Sequence, residues 1–139
     1  MTTTFTPQPN GGVYAINAYG SDYVEVNGVR HDSPFVLDPE RGPLALPAET
    51  TPASLGPDTL ESIAAKQPEV VLIGTGSRQC FYPASILLPL TSRRIGVETM
   101  AMGPACRTFN LLAAEGRRTL LILLFDRPPT PTDSTPTKS

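Results

Sequence analysis

Hydrophobic and polar positions alternate with a period of two along the first third of the chain. Tyr14, Ile16 and Ala18 interleave with Ala15, Asn17 and Tyr19 before Gly20-Ser21-Asp22 breaks the run. Tyr23-Val24-Glu25-Val26 and Val29-Arg30-His31 then flank Asn27-Gly28. Asn-Gly between β-prone residues predicts a hairpin, because both residues tolerate the positive φ of a type I′ turn. Ser33-Pro34 opens another short strand, Phe35-Val36-Leu37, which the Asp38-Pro39-Glu40-Arg41-Gly42-Pro43 cluster ends. The pattern over Val13 to Leu46 therefore predicts an antiparallel β-meander.

Beyond it the period changes. Asp58 reads as a helix N-cap with Glu61 three residues on, a capping-box pair, and the helix must stop near Pro68. The apolar, β-branched run Val70 to Ile73 ends in Gly74-Thr75-Gly76-Ser77-Arg78, as a buried strand does where its carboxyl end opens into a crevice. Pro83 opens a second helix running to about Ser92, and Pro89 inside it should kink or shorten it. Val97 to Met102 reads as a strand and Pro104 as the start of a third helix, with Gly116 placed as its C′ residue. Cys106, Phe109 and Ala113 give that helix an apolar stripe. Leu120 to Phe125 is apolar at every position and predicts a strand buried on both faces. The order is β-meander then αβαβαβ, and right-handed βαβ crossovers make a mixed central sheet with helices on its faces the expected architecture.

The ends lack this patterning. Residues 1–12 are rich in Thr, Pro and Gly, and residues 126–139 in Pro, Thr and Ser. Neither offers enough apolar surface to offset the entropy of ordering, so both are expected to be disordered tails on a single domain over residues 13–125. The formal net charge is -2 with a pI of 5.3, which lacks the basic footprint of a nucleic-acid binder. The apolar run Leu120 to Phe125 is far short of the about 20 residues that span a membrane. No basic region followed by an apolar one opens the chain, so no secretory signal is read and a cytoplasmic location is expected. Cys80 and Cys106 show no CxxC spacing, and His31 is the single histidine. That composition predicts no metal site, no cofactor and no disulfide.

No catalytic constellation follows from these residues. Gly74-Thr75-Gly76 lacks the third glycine of the dinucleotide fingerprint, whose place Gln79 takes, and lacks the Gly-Lys-Ser/Thr of a P-loop. It can be a tight turn that needs glycine, or a ligand contact. If the strands run parallel, this turn and the start of the third helix share one sheet edge. The candidate site is then the crevice between them, with Gly74, Thr75, Gly76, Arg78, Arg107 and Asn110 as ligand- or partner-binding residues. Arg107 and Asn110 share a helical face, whereas Thr108 points about 100° away from Arg107. The competing role for these polar groups is capping and solvated charge. Cys106 near a helix start can be a reactive thiol or a core residue, and packing is the better reading. Glu98 and Glu115 have no second carboxylate at strand or helix spacing and read as solvated.

Three segments carry a family resemblance: Leu72-Ile73-Gly74-Thr75-Gly76, Gly96-Val97-Glu98-Thr99-Met100, and Ala105-Cys106-Arg107-Thr108-Phe109-Asn110 through Glu115-Gly116-Arg117-Arg118. With the Asn27-Gly28 hairpin, they resemble an uncharacterised domain family that includes mitochondrial complex I assembly factor 3 and small bacterial and archaeal proteins. The resemblance implies a three-layer β+α/β/α fold in which one strand of a mixed sheet runs against the others. It implies no enzymatic activity. It points instead to a binding or assembly-type module, with a protein partner from respiratory-complex or other membrane-protein assembly. A small-molecule or anion-binding protein using the crevice is the alternative. Phe109, Met102-Gly103-Pro104 and Cys80 stand where the family usually carries Tyr, Asp with small residues, and a basic residue. Each departure lowers polarity near the crevice.

Overall fold

A computed structural model of the chain describes residues 3–4 and 14–126. The alternating N-terminal segment forms a small antiparallel sheet of β1 (Thr3–Thr4), β2 (Ile16–Tyr19), β3 (Val24–Val26) and β4 (Val29–His31), paired in that order. Asn27 and Gly28 take φ 49 and 86, as the type I′ turn requires. The hairpin therefore closes with Val26 opposite Val29.

The central sheet contains β5 (Phe35–Asp38), β6 (Gly42–Ala45), β7 (Val70–Thr75), β8 (Gly96–Met100) and β9 (Thr119–Leu124), in the order β6-β5-β9-β7-β8. β7 pairs parallel with both β8 and β9, while β5 is antiparallel to β9 and to β6, so β5 alone runs against the rest. Every residue of β9 is buried, as its uninterrupted apolar run predicted. The predicted single meander is thus divided between two sheets. The division falls at Ser33-Pro34 and has a packing cause. β2 and β3 bury alternate residues, whereas all four residues of β5 are buried and need cover on both faces.

Two helices, α1 (Pro57–Ala64) and α2 (Ala84–Thr91), cover one face of the central sheet. On the other face α3 (Met102–Ala114) lies between the central sheet and the small one. Ile16, Val24 and Val26 there meet Cys106, Phe109, Leu121 and Leu123 in one core. The result is the three-layer mixed α/β architecture expected from the order of elements.

Helix ends differ from expectation in three places. α1 is preceded by Gly56 with Pro57 at N1 and no side-chain cap, so Asp58 is not the N-cap, and Glu61 binds Arg93 instead of closing a capping box. Pro fits N1 because the N–H it lacks would be unpaired there. Pro83 caps α2 from outside, and Pro89 sits in its last turns, where the helix ends at Thr91. α3 begins at Met102, two residues before Pro104, because the Met102 N–H donates to Gly76 O at 2.7 Å. Its end is as predicted: Gly116 has φ 79, its N–H donates to Ala113 O, and Arg117 N–H donates to Leu112 O. That is a Schellman motif.

The tails assigned to residues 1–12 and 126–139 lie outside the described residues, with two exceptions. Thr3 and Thr4 pair with Tyr19 and Ala18 on the edge of β2. Strand addition needs backbone hydrogen bonds and no buried side chain, which composition does not register. Asp126 binds the turn after β7.

Candidate functional site

The carboxyl end of β7 is where the fold assembles its polar residues. Gly74 has Leu123 on one side and Ala105 of α3 on the other, and a Cβ there would stand 3.1 Å from the Ala105 Cβ. It is a close-packing position. Thr75 is buried. Its Oγ1 accepts the Cys80 N–H at 3.1 Å and donates to Arg78 O at 2.5 Å, tying the loop to the strand end. Gly76 takes φ +81 and its carbonyl receives the Met102 N–H. The turn's next donors, the Ser77 N–H and hydroxyl, both bind the Asp126 carboxylate, at 2.9 and 2.7 Å. The anion that this turn holds is thus supplied by the chain itself.

A crevice does form between this turn and the start of α3. It has a volume of about 230 Å³ and is lined by Tyr19, Gly20, Gly76, Ser77 and residues 101–104. Of the predicted site residues only Gly76 lines it. Two of the first three N–H positions of α3 offer nothing to an outside anion: Met102's is bonded to Gly76 O, and Pro104 has none. Arg107 is exposed and its guanidinium donates to the Tyr19 hydroxyl at 2.7 Å. Asn110 faces β2, not the crevice. Its Oδ1 accepts the Ile16 N–H at 2.9 Å and its Nδ2 donates to Ile16 O at 2.8 Å, as a neighbouring strand would. Arg107 and Asn110 do share the face of α3 that meets the small sheet, but there they join layers together.

Thr75 and Arg78 open instead on a larger groove of about 670 Å³ on the opposite side of the turn. Its walls are Thr51, Pro52, Leu55, Phe81, Pro83 and Ile86, with Cys80, Tyr82 and Asp126 also on the lining. Phe81 is 84% exposed. The Tyr82 hydroxyl donates to Pro52 O at 2.6 Å, and burial, followed by the neighbouring Cys80, pushes its pKa up to about 12. It holds the groove's two walls together and does not ionise near neutrality. The sequence reading passed over these walls, although an available signal was the nearly unbroken apolar run from Cys80 to Leu90.

Cys106 does not have the setting of a nucleophile. Cys106 is buried in the core, and loss of solvation pushes its thiol up to about 12 despite the opposing charge of Arg107. Among the described residues no group of His, Cys, Asp and Glu could hold a metal ion, and no helix is long and apolar enough to cross a membrane.

A mixed sheet with α3 held beneath a small antiparallel sheet defines an Mth938-like domain. A solution structure so described, from Bordetella pertussis, is 30% identical over 90% of this chain and 95% of that one, with a TM-score of 0.75. The chain belongs to the family described as "Protein of unknown function (DUF498/DUF598)", whose pattern matches residues 16–124. A crystal structure of a Bordetella parapertussis protein is 38% identical, covering 85% of this chain and all 100% of that one, with a TM-score of 0.78. Similarity also extends to a "13 kDa major membrane protein" of Francisella tularensis, 38% identical over 65 residues. That match spans 47% of this chain and about half, 53%, of the Francisella protein.

Proposed function

We propose that the chain is a non-catalytic binding module of the assembly-factor type, acting in the cytoplasm on a protein partner that docks in the groove beside Arg78. The groove itself carries the reading. It is a concave surface walled by Leu55, Phe81, Pro83 and Ile86, with one unpaired guanidinium among the described residues at its rim. An apolar cleft with few convergent polar groups suits insertion of a partner's side chain, and an exposed aromatic at its mouth is a common anchor. The reaction chemistry of the neighbouring groups is meanwhile occupied: Thr75 and Ser77 are committed to internal hydrogen bonds, and Cys106 is sealed in the core.

Respiratory or other membrane complexes are the partner class. The resemblance to complex I assembly factor 3 supports this, as does the membrane-protein name of the Francisella relative. The anion-binding alternative is weaker, since Asp126 already occupies the donors of the turn. The test is affinity capture with Arg78→Glu and Ile86→Glu variants whose melting temperatures match the parent. Both should lose the partner, and Arg107→Ala should keep it. Undiminished capture by both groove variants would overturn the reading.

A further inference from the structure

Of the three helices, α2 alone carries no charged residue. Its residues Ala84-Ser85-Ile86-Leu87-Leu88-Pro89-Leu90-Thr91 give it no charged position, yet only Leu90 is fully buried. The outward residues of α1 include Asp58, Glu61 and Ser62, and α3 turns Arg107 outward with Glu115 just past its end, as solvent-facing positions should. On α2 the corresponding positions are Ala84, Ser85, Leu88 and Thr91, uncharged throughout, with Phe81 standing out just before the helix. Leu88 is 57% and Phe81 84% exposed. Among the described residues, folding leaves most of the Phe81 and Leu88 surface uncovered.

The segment of chain that carries the stripe has charge of one sign. From Val70 to Val97 the chain carries Arg78, Arg93 and Arg94 and no acidic residue or lysine. This stretch therefore holds +3 in a chain of net charge -2, leaving -5 for the rest. Arg93 spends its charge on Glu61 of α1. Arg78 and Arg94 make no ion pair among the described residues and bracket α2 from its two ends. An apolar helical face flanked by exposed guanidinium groups matches an anionic lipid surface, with hydrocarbon below and phosphate at the level of the cations. A second copy matches less well. A two-fold contact sets the patch against itself, and would bring the unpaired Arg78 and Arg94 of both copies together.

We propose that the outward face of α2, with Phe81, Ala84 and Leu88, docks on anionic phospholipid, with Arg78 and Arg94 reaching the headgroups. Arg78 and Phe81 also line the groove, whereas Ala84 and Leu88 do not, so Leu88→Asp tests the lipid contact separately from the groove reading. It would set the groove beside the bilayer, facing partners that emerge from it.

The chain has no tryptophan, so Phe81→Trp in the full chain makes a single reporter on the stripe. Mixed with vesicles of phosphatidylglycerol and phosphatidylcholine in equal parts, its emission should shift to the blue and the protein should co-sediment. Pure phosphatidylcholine vesicles should retain far less, and added salt should weaken binding. Leu88→Asp in the same background should lower partition about tenfold or more, and Arg94→Glu should lower it on the anionic vesicles alone. Both positions are exposed, and circular dichroism confirms folding. Absence of a blue shift on anionic vesicles overturns the proposal. So does a concentration-dependent shift without vesicles accompanied by a dimer mass, or partition that Leu88→Asp leaves unchanged.

Discussion

The Asp126 carboxylate closes the turn that follows β7, with one oxygen accepting the Ser77 N–H and the other the Ser77 hydroxyl. Asp126, two residues past β9, thereby fixes the loop after β7, and that loop lines both the crevice and the groove. Gly76 makes the arrangement feasible, since a Cβ there would fall 2.1 Å from the Asp126 Oδ1.

Gly76→Ala should therefore destabilise the fold by about 1–3 kcal/mol, through both the left-handed backbone and the clash. Asp126→Ala should cost about 1 kcal/mol, because its hydrogen bonds are exposed. The double variant should cost less than the sum, since removing Asp126 also removes the obstacle. Urea unfolding midpoints measure all three, and strict additivity would show that the clash is not the source of the loss.

Asn110 should behave as a structural clamp. Asn110→Ala strips the Ile16 N–H and C=O of their partners and should cost about 2–3 kcal/mol. Asn110→Asp should keep the acceptor and lose the donor, and so fall in between or worse at neutral pH. Hydrogen exchange at the Ile16 amide is the direct check: it should accelerate in Asn110→Ala, while the amides of β9 change only by the global loss of stability.

What was legible in the sequence was local. Asn27-Gly28 and Gly116 announce their turns because a positive φ has few possible occupants, and Leu120 to Phe125 announces its central place by being apolar throughout. The clamp of Asn110 on Ile16 joins residues 94 apart in sequence, and no spacing rule reaches that far. A crevice lies between the β7 turn and the start of α3, but most of the residues expected in it are absorbed by the fold. Gly74 is filled by Ala105, Thr75 by its own loop, and Arg107 by Tyr19. Motif logic asks what a side chain can bind and has no means of knowing which neighbours bind it first. The larger groove escaped notice because its walls are apolar, and the search for chemistry weighed polar residues.

Cys106 gives the fold a definite alkaline response. Above pH 9.0 the unfolded thiol ionises, while the buried one stays protonated up to about 12. The unfolded state then binds fewer protons than the native state, so stability is unaffected below that pH and falls above it, by up to about 1.4 kcal/mol per pH unit. Cys106→Ala should flatten the slope between pH 9.0 and 10.0, before Tyr82 begins to contribute. Equilibrium urea titrations across that interval report it, and an unchanged slope in the variant would assign the effect elsewhere.

The central claim is that a protein partner occupies the groove walled by Leu55, Phe81 and Ile86. Site-specific photocrosslinking in living cells tests it most directly, with a benzophenone amino acid placed at Ile86 and, as control, at Val29. Val29 is the more accessible of the two, at 59% exposure, and lies on β4 of the small sheet. The account predicts a discrete adduct with one protein from position 86, absent from position 29 and abolished by Arg78→Glu. No adduct at position 86, or the same adducts from both positions, would contradict it.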